Sequence, residues 1–98
     1  DKDKASALLA RQLGARLLIL ATDAVGVYRD WGTESQELIR ATTPGEISKM
    51  DFEPGSMGPK VEAACDFVMR TGERAVIGAL TDIAEMVEGK AGTQFTIE

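Results

Sequence analysis

Apolar residues at Ala5, Leu8, Leu9 and Leu13 recur at the three-and-four spacing of one helix face, and Gly14 stands where such a helix would close on a left-handed residue. Asp3 occupies the position of its N-cap. The spacing then changes: Arg16-Leu17-Leu18-Ile19-Leu20-Ala21 is a short continuous apolar run, which predicts a strand buried on both faces as in a parallel sheet. It ends in the turn Thr22-Asp23-Ala24-Val25-Gly26. From Val27 to Arg40 weak alternation around Asp30-Trp31-Gly32-Thr33 predicts two small strands joined by a turn. Thr43-Pro44-Gly45-Glu46 supplies a cap and a proline for one brief helix carrying Ile47 and Met50.

Phe52 to Gly58 is dense in residues that break regular structure, and Pro59 then opens the strongest helical pattern, with Val61, Ala64, Cys65, Val68 and Met69 on one side. Thr71-Gly72 stops it. Ala75 to Leu80 reads as a second buried strand, and Thr81-Asp82 starts a helix through Val87, with Glu85 completing a capping box from Asp82. Gly89 ends that helix. The alternating tail Gly92–Ile97 predicts a last strand, antiparallel at an edge. Helix, strand, excursion, helix, strand, helix, strand is an α/β order, for which right-handed crossovers and a mainly parallel sheet are expected.

Composition narrows the chemistry. The 98 residues fit one domain, and 44% hydrophobic with 28% charged residues is the balance of an ordinary globule. No histidine is present, which excludes Ser-His-Asp and Cys-His hydrolases and the usual zinc-site grammar. Cys65 alone cannot form an internal disulfide, so a reducing cytoplasm is the expected compartment. Sixteen acidic against eleven basic residues give a net charge of −5, which disfavours nucleic acid. Leu17–Ala21 is far shorter than the ~20 residues that span a bilayer. The opening Asp1-Lys2-Asp3, without an initiator methionine, leads to the expectation of a fragment of something longer.

Lysines occupy two helix starts, Lys2 and Lys4 in the first and Lys60 beside Pro59, where a helix dipole favours an anion instead. Taken singly, each is an ordinary solvated lysine. Behind Pro54-Gly55-Ser56-Met57-Gly58, however, Lys60 completes an anion cradle: glycines admit close approach to backbone N–H groups, and the helix start and the ammonium add positive charge. The segment is not a P-loop. Thr22 and Asp23 lie just past the carboxyl end of a buried strand, where open α/β sheets bind ligands, although Asp23 equally suits a turn. Trp31 and Met57 suit base stacking or simple hydrophobic filling, and Cys65 falls on the apolar side of its helix.

Asp1-Lys2-Asp3 with Ala5-Ser6-Ala7-Leu8-Leu9-Ala10, then Leu18 to Tyr28, then Pro54-Gly55-Ser56-Met57-Gly58-Pro59-Lys60-Val61-Glu62-Ala63-Ala64, and the closing Gly89-Lys90-Ala91-Gly92-Thr93 together resemble the C-terminal part of carbamate kinases, in order and nearly end to end. The resemblance implies the amino-acid-kinase fold, a three-layer α-β-α sandwich with a mainly parallel sheet, in which residues 1–98 form the C-terminal nucleotide-binding lobe. It implies phosphoryl transfer between ATP and carbamate, to and from ADP and carbamoyl phosphate, with Mg²⁺ arriving on the nucleotide and no metal held by the protein. Lys2, Asp3 and Lys60 would be catalytic, the lysines facing the phosphates and Asp3 holding them. Thr22, Asp23, Gly26, Val27, Tyr28, Gly55, Ser56, Met57 and Lys60 would bind nucleotide. The implied protein is a cytoplasmic homodimer of arginine catabolism. The family's glycine-rich carbamate loops lie in an N-terminal lobe with no counterpart here, and Arg29–Glu53 departs from the pattern. The alternative is a nucleotide-binding or inert α/β fragment without activity.

Overall fold

The structure, a computed structural model, describes residues 2–50 and 57–97. Helix α1, Lys2–Gln12, ends as its sequence demands. Gly14 takes φ +70°. Its N–H donates to the Arg11 carbonyl at 3.1 Å while Ala15 N–H reaches back to Ala10 at 2.9 Å. That pairing satisfies the last helical carbonyls and turns the chain into strand β1, Leu17–Thr22.

The hairpin follows as β2, Tyr28–Arg29, paired antiparallel with β3, Glu37–Leu38. Strand β4, Ala41–Thr42, which the hydrophobic pattern does not reveal, leads to the short helix α2, Pro44–Ile47. Thr43 caps α2 by accepting the Glu46 N–H. Helix α3 spans Met57–Thr71, β5 spans Arg74–Ala79, and a single 3-10 turn, Leu80–Asp82, precedes α4, Ile83–Val87. Strand β6, Thr93–Phe95, closes the order.

The main sheet runs β1-β5-β6-β4. β1 lies parallel to β5 and β4 parallel to β6, with only β5 and β6 antiparallel. Alternation along β5 sets the layers. Ala75 and Ile77 join the core with Leu18, Leu20, Val61, Ala64, Phe67, Val68 and Phe95 beneath α3. On the opposite face a Cβ built on Gly78 would meet the Met86 sulfur of α4 at 2.9 Å. The result is the expected α/β, mainly parallel α-β-α arrangement.

Several local expectations are corrected. On α1 the buried apolar residue among those described is Ala7, whereas Leu8, Leu9 and Leu13 are exposed by 43%, 56% and 75%; a small residue allows the close approach of α3. Asp3 lies inside the first turn of α1, past the N-cap position expected for it, and ion-pairs with Lys60. β1 buries Leu18 and Leu20 in the core beneath α3 but leaves Leu17 and Ile19, on the opposite face, half-buried. Helix α3 already includes Met57 and Gly58, with Pro59 in the first turn, where no N–H is needed. Met69 faces solvent while Phe67 is fully buried. Leu80 leaves β5 for the 3-10 turn, and Asp82 precedes α4 without a side-chain cap bond, so the capping box does not form. β6 sits in the interior of the sheet between β5 and β4, not at an edge.

Candidate functional site

α1 turns back through Gly14 into β1, and α3 turns back through Gly72 into β5, so both helices start at the end of the sheet where β1 and β5 finish. This topology brings together residues 57 positions apart. Lys60 Nζ donates to Asp3 Oδ2 at 3.1 Å and to Oδ1 at 3.3 Å. The two side chains are only 9% and 12% exposed. An ammonium taken out of water needs such a partner, and the bond to Asp3 uses only part of its three-donor capacity. Lys2, one residue before Asp3 on the same turn, is exposed.

Met57 and Gly58 form the opening turn of α3, whose amides have no acceptor within the helix. The Met57 side chain is buried and packs in the core cluster. Among the described residues outside its own helix and chain neighbours, none lies within 4 Å of a Cβ built on Gly58. Gly55 and Ser56, like Pro54 and Asp1, lie outside the described residues.

At the neighbouring strand ends, Thr22 pairs in register with Ala79. Thr22 Oγ1 donates to Asp23 Oδ1 at 3.3 Å. Ala21, Thr22, Asp23 and Leu80 line an open cleft of about 330 Å³. Leu80, 65% exposed, contributes an apolar surface to this cleft. Sequence reasoning assigned it to the buried strand, and its signal is position: it is the first residue beyond β5, next to a ligand-prone strand end.

The remaining candidates divide by burial. Gly26 is held close, since a Cβ there would meet Thr93 Oγ1 at 2.8 Å and Leu38 Cδ1 at 2.9 Å. Val27 is fully buried, giving its N–H to Thr93 Oγ1 at 2.8 Å and accepting from Ile39 N–H at 2.8 Å. Tyr28 is half-buried with its ring 5.7 Å from that of Trp31. An exposed ion pair between Arg29 and Glu37 bridges the hairpin behind them. The thiol of Cys65 is half-buried on α3, and burial pushes its pKa up. Among the described residues no group of three or more acidic, cysteine or histidine side chains is placed to hold a metal ion. No described helix is long and apolar enough to cross a membrane.

The architecture is that of an α/β domain whose parallel strand ends lie beside two helix starts, with a lysine and an aspartate paired there. The profile of the amino acid kinase family matches residues 1–79, and the chain belongs to that family. Within it, the chain is 52% identical over 96 residues to the carbamate kinase of Haemophilus influenzae, covering 98% of this chain and 31% of that protein. It is 56% identical over 93 residues to the carbamate kinase of Rhizobium meliloti, covering 95% of this chain and 29% of that one. Among solved structures, carbamate kinase from Giardia lamblia bound to AMP-PNP superposes with a TM-score of 0.92 at 31% identity, over 100% of this chain and 36% of that one. The chain thus spans about a third of the length of the curated relatives it matches.

Proposed function

We propose that these residues are the C-terminal, ATP/ADP-binding lobe of a carbamate kinase-like phosphotransferase that interconverts ATP plus carbamate with ADP plus carbamoyl phosphate. The observation that carries the reading is the buried Lys60–Asp3 pair at the joint mouth of α1 and α3. The identity to carbamate kinases and the likeness to one bound to AMP-PNP support it.

In the direction of ATP synthesis, a β-phosphate oxygen of ADP forms a bond to the phosphorus of carbamoyl phosphate as the bond to the carbamate oxygen breaks. Such transfers need little covalent chemistry from protein, and most of the acceleration comes from positioning and from charge stabilisation. Lys60 supplies a full positive charge whose place is fixed in advance by Asp3, so little reorganisation is needed as negative charge shifts between oxygens. The amides of Met57 and Gly58, with Gly55 and Ser56 before them, bind the phosphates. Lys2 reaches them from the exposed side of α1. Thr22, Asp23 and Tyr28 contact the nucleoside over the cleft at the end of β1, while Gly26 and Val27 shape the turn from within. Mg²⁺ enters as part of the nucleotide substrate. The carbamate side belongs to the part of the relatives' length that these residues do not span. A cytoplasmic setting accords with the single, unpaired Cys65.

Titration calorimetry with ADP, and turnover of carbamoyl phosphate plus ADP by the complete natural polypeptide, test this reading. ADP binding is expected, and Lys60→Ala should lower turnover at least about tenfold at equal folded fraction. An unchanged rate removes Lys60 from the mechanism. A flat ADP titration of folded protein overturns the nucleotide assignment.

A further inference from the structure

The turn Asp23–Gly26 is fixed at one end by the β1–β5 ladder, which runs to Thr22. Its other end is held by a residue 66 positions away. Thr93 Oγ1 accepts the Val27 N–H at 2.8 Å and donates to the Ile39 carbonyl at 2.5 Å. One fully buried hydroxyl thereby joins three segments: the exit of the turn, the approach to β4, and β6, to which Thr93 itself belongs. The absence of a side chain at Gly26 lets the turn rest directly on that hydroxyl. A valine of the same shape at position 93 would fill the same space but leave the Val27 N–H and the Ile39 carbonyl buried and unpaired, an arrangement a protein interior avoids.

We propose that Thr93 is a positioning residue for nucleotide binding: it touches no ligand, and through the Val27 amide it sets the conformation of the Thr22–Val27 turn that receives the nucleoside. This rests on the nucleotide reading above and adds to it a specific residue at the far end of the chain. A merely structural threonine would lower global stability without a selective effect on the turn, so both readouts are required.

The test uses Thr93→Val and Thr93→Ser in the complete natural polypeptide, measuring amide hydrogen exchange without ligand and ADP affinity by calorimetry. In Thr93→Val the amides of residues 24–27 should exchange faster while those of β1 and β5 keep their protection, and the ADP dissociation constant should rise about tenfold. Thr93→Ser, which keeps the hydroxyl, should restore both to within about twofold. Should Thr93→Val not fold, Thr93→Cys, which keeps a small side chain but replaces the hydroxyl by a weak donor and acceptor, should produce the same paired effect. Faster exchange with unchanged ADP affinity overturns the role of Thr93 and leaves the nucleotide reading intact. Uniformly faster exchange across β1 and β5 also overturns it. Absence of ADP binding by the unmodified protein overturns the nucleotide reading, and this role with it.

Discussion

Replacing either member of the Asp3–Lys60 pair with an apolar residue should cost far more stability than replacing both. At 3.1 Å and an effective dielectric constant of about 20, two unit charges attract by about 5 kcal/mol. With only 9% and 12% of the side chains exposed, each group also gives up several kcal/mol of hydration, so the pair as a whole comes out near balance. Lys60→Met removes the attraction and takes the ammonium away from a largely buried Asp3 carboxylate. Asp3→Leu does the converse. Each single variant should therefore lose about 3–5 kcal/mol, whereas the double variant Asp3→Leu/Lys60→Met should lie within about 1 kcal/mol of the parent or above it. Urea unfolding at fixed pH measures all four corners of the cycle, and the expected coupling is several times the additivity error of about 0.5 kcal/mol. Single variants that lose less than about 1 kcal/mol would show the pair behaving as a solvated surface contact, and burial would then contribute nothing to its strength. A double variant that is stable but inactive would show that this charge is retained for chemistry rather than for folding.

Two further outcomes follow from helix α3. Phe67→Ala should cost about 3–5 kcal/mol in urea unfolding because the ring is fully buried, while Met69→Ala, two residues on and 65% exposed, should stay within about 0.5 kcal/mol; equal losses would contradict the assigned face. Because burial raises the Cys65 pKa, iodoacetamide should label it more slowly than a free thiol at neutral pH, and its rate should still be climbing above pH 9.0, the ordinary thiol value, where that of a free thiol levels off. The sign for stability is the same: the neutral thiol favours the folded state below that pH, and the contribution is lost as pH rises through the higher folded value. Free-thiol labelling rates at neutral pH would refute the placement.

Several elements governed by nearest neighbours along the chain are legible in sequence, although the Asp82–Glu85 capping box, equally local, does not form. Gly14, Thr43 and Gly72 mark helix ends through local backbone requirements, and the Leu18/Leu20 and Ala75–Ile77 runs mark strands because both are short, apolar and bounded by turns. What sequence does not carry is which neighbour arrives from far away. Leu8, Leu9 and Leu13 have the periodicity of a core face, yet the contact with α3 is made by Ala7, and periodicity cannot distinguish a face that is covered from one that is merely apolar. The interior place of β6 depends on a pairing with β4 across more than fifty residues, and β4, two residues long, leaves no pattern. The same limit applies at the site. Lys60 stands out beside a glycine loop, and Asp3 stands out at a helix start, but their union follows from two helices beginning at one end of a sheet. Thr93 carried no signal of its own, since a hydroxyl that ties loops together looks in sequence like any strand threonine.

The insertion of β6 between β5 and β4 also dictates the timetable of assembly. During synthesis β1 can zip to β5 as soon as Ala79 clears the ribosome, but Ala41 and Thr42 must wait, unpaired, until residues 94 and 95 have been made. Within the described sheet β6 thus works like a keystone, the strand made last that joins β4 to β5.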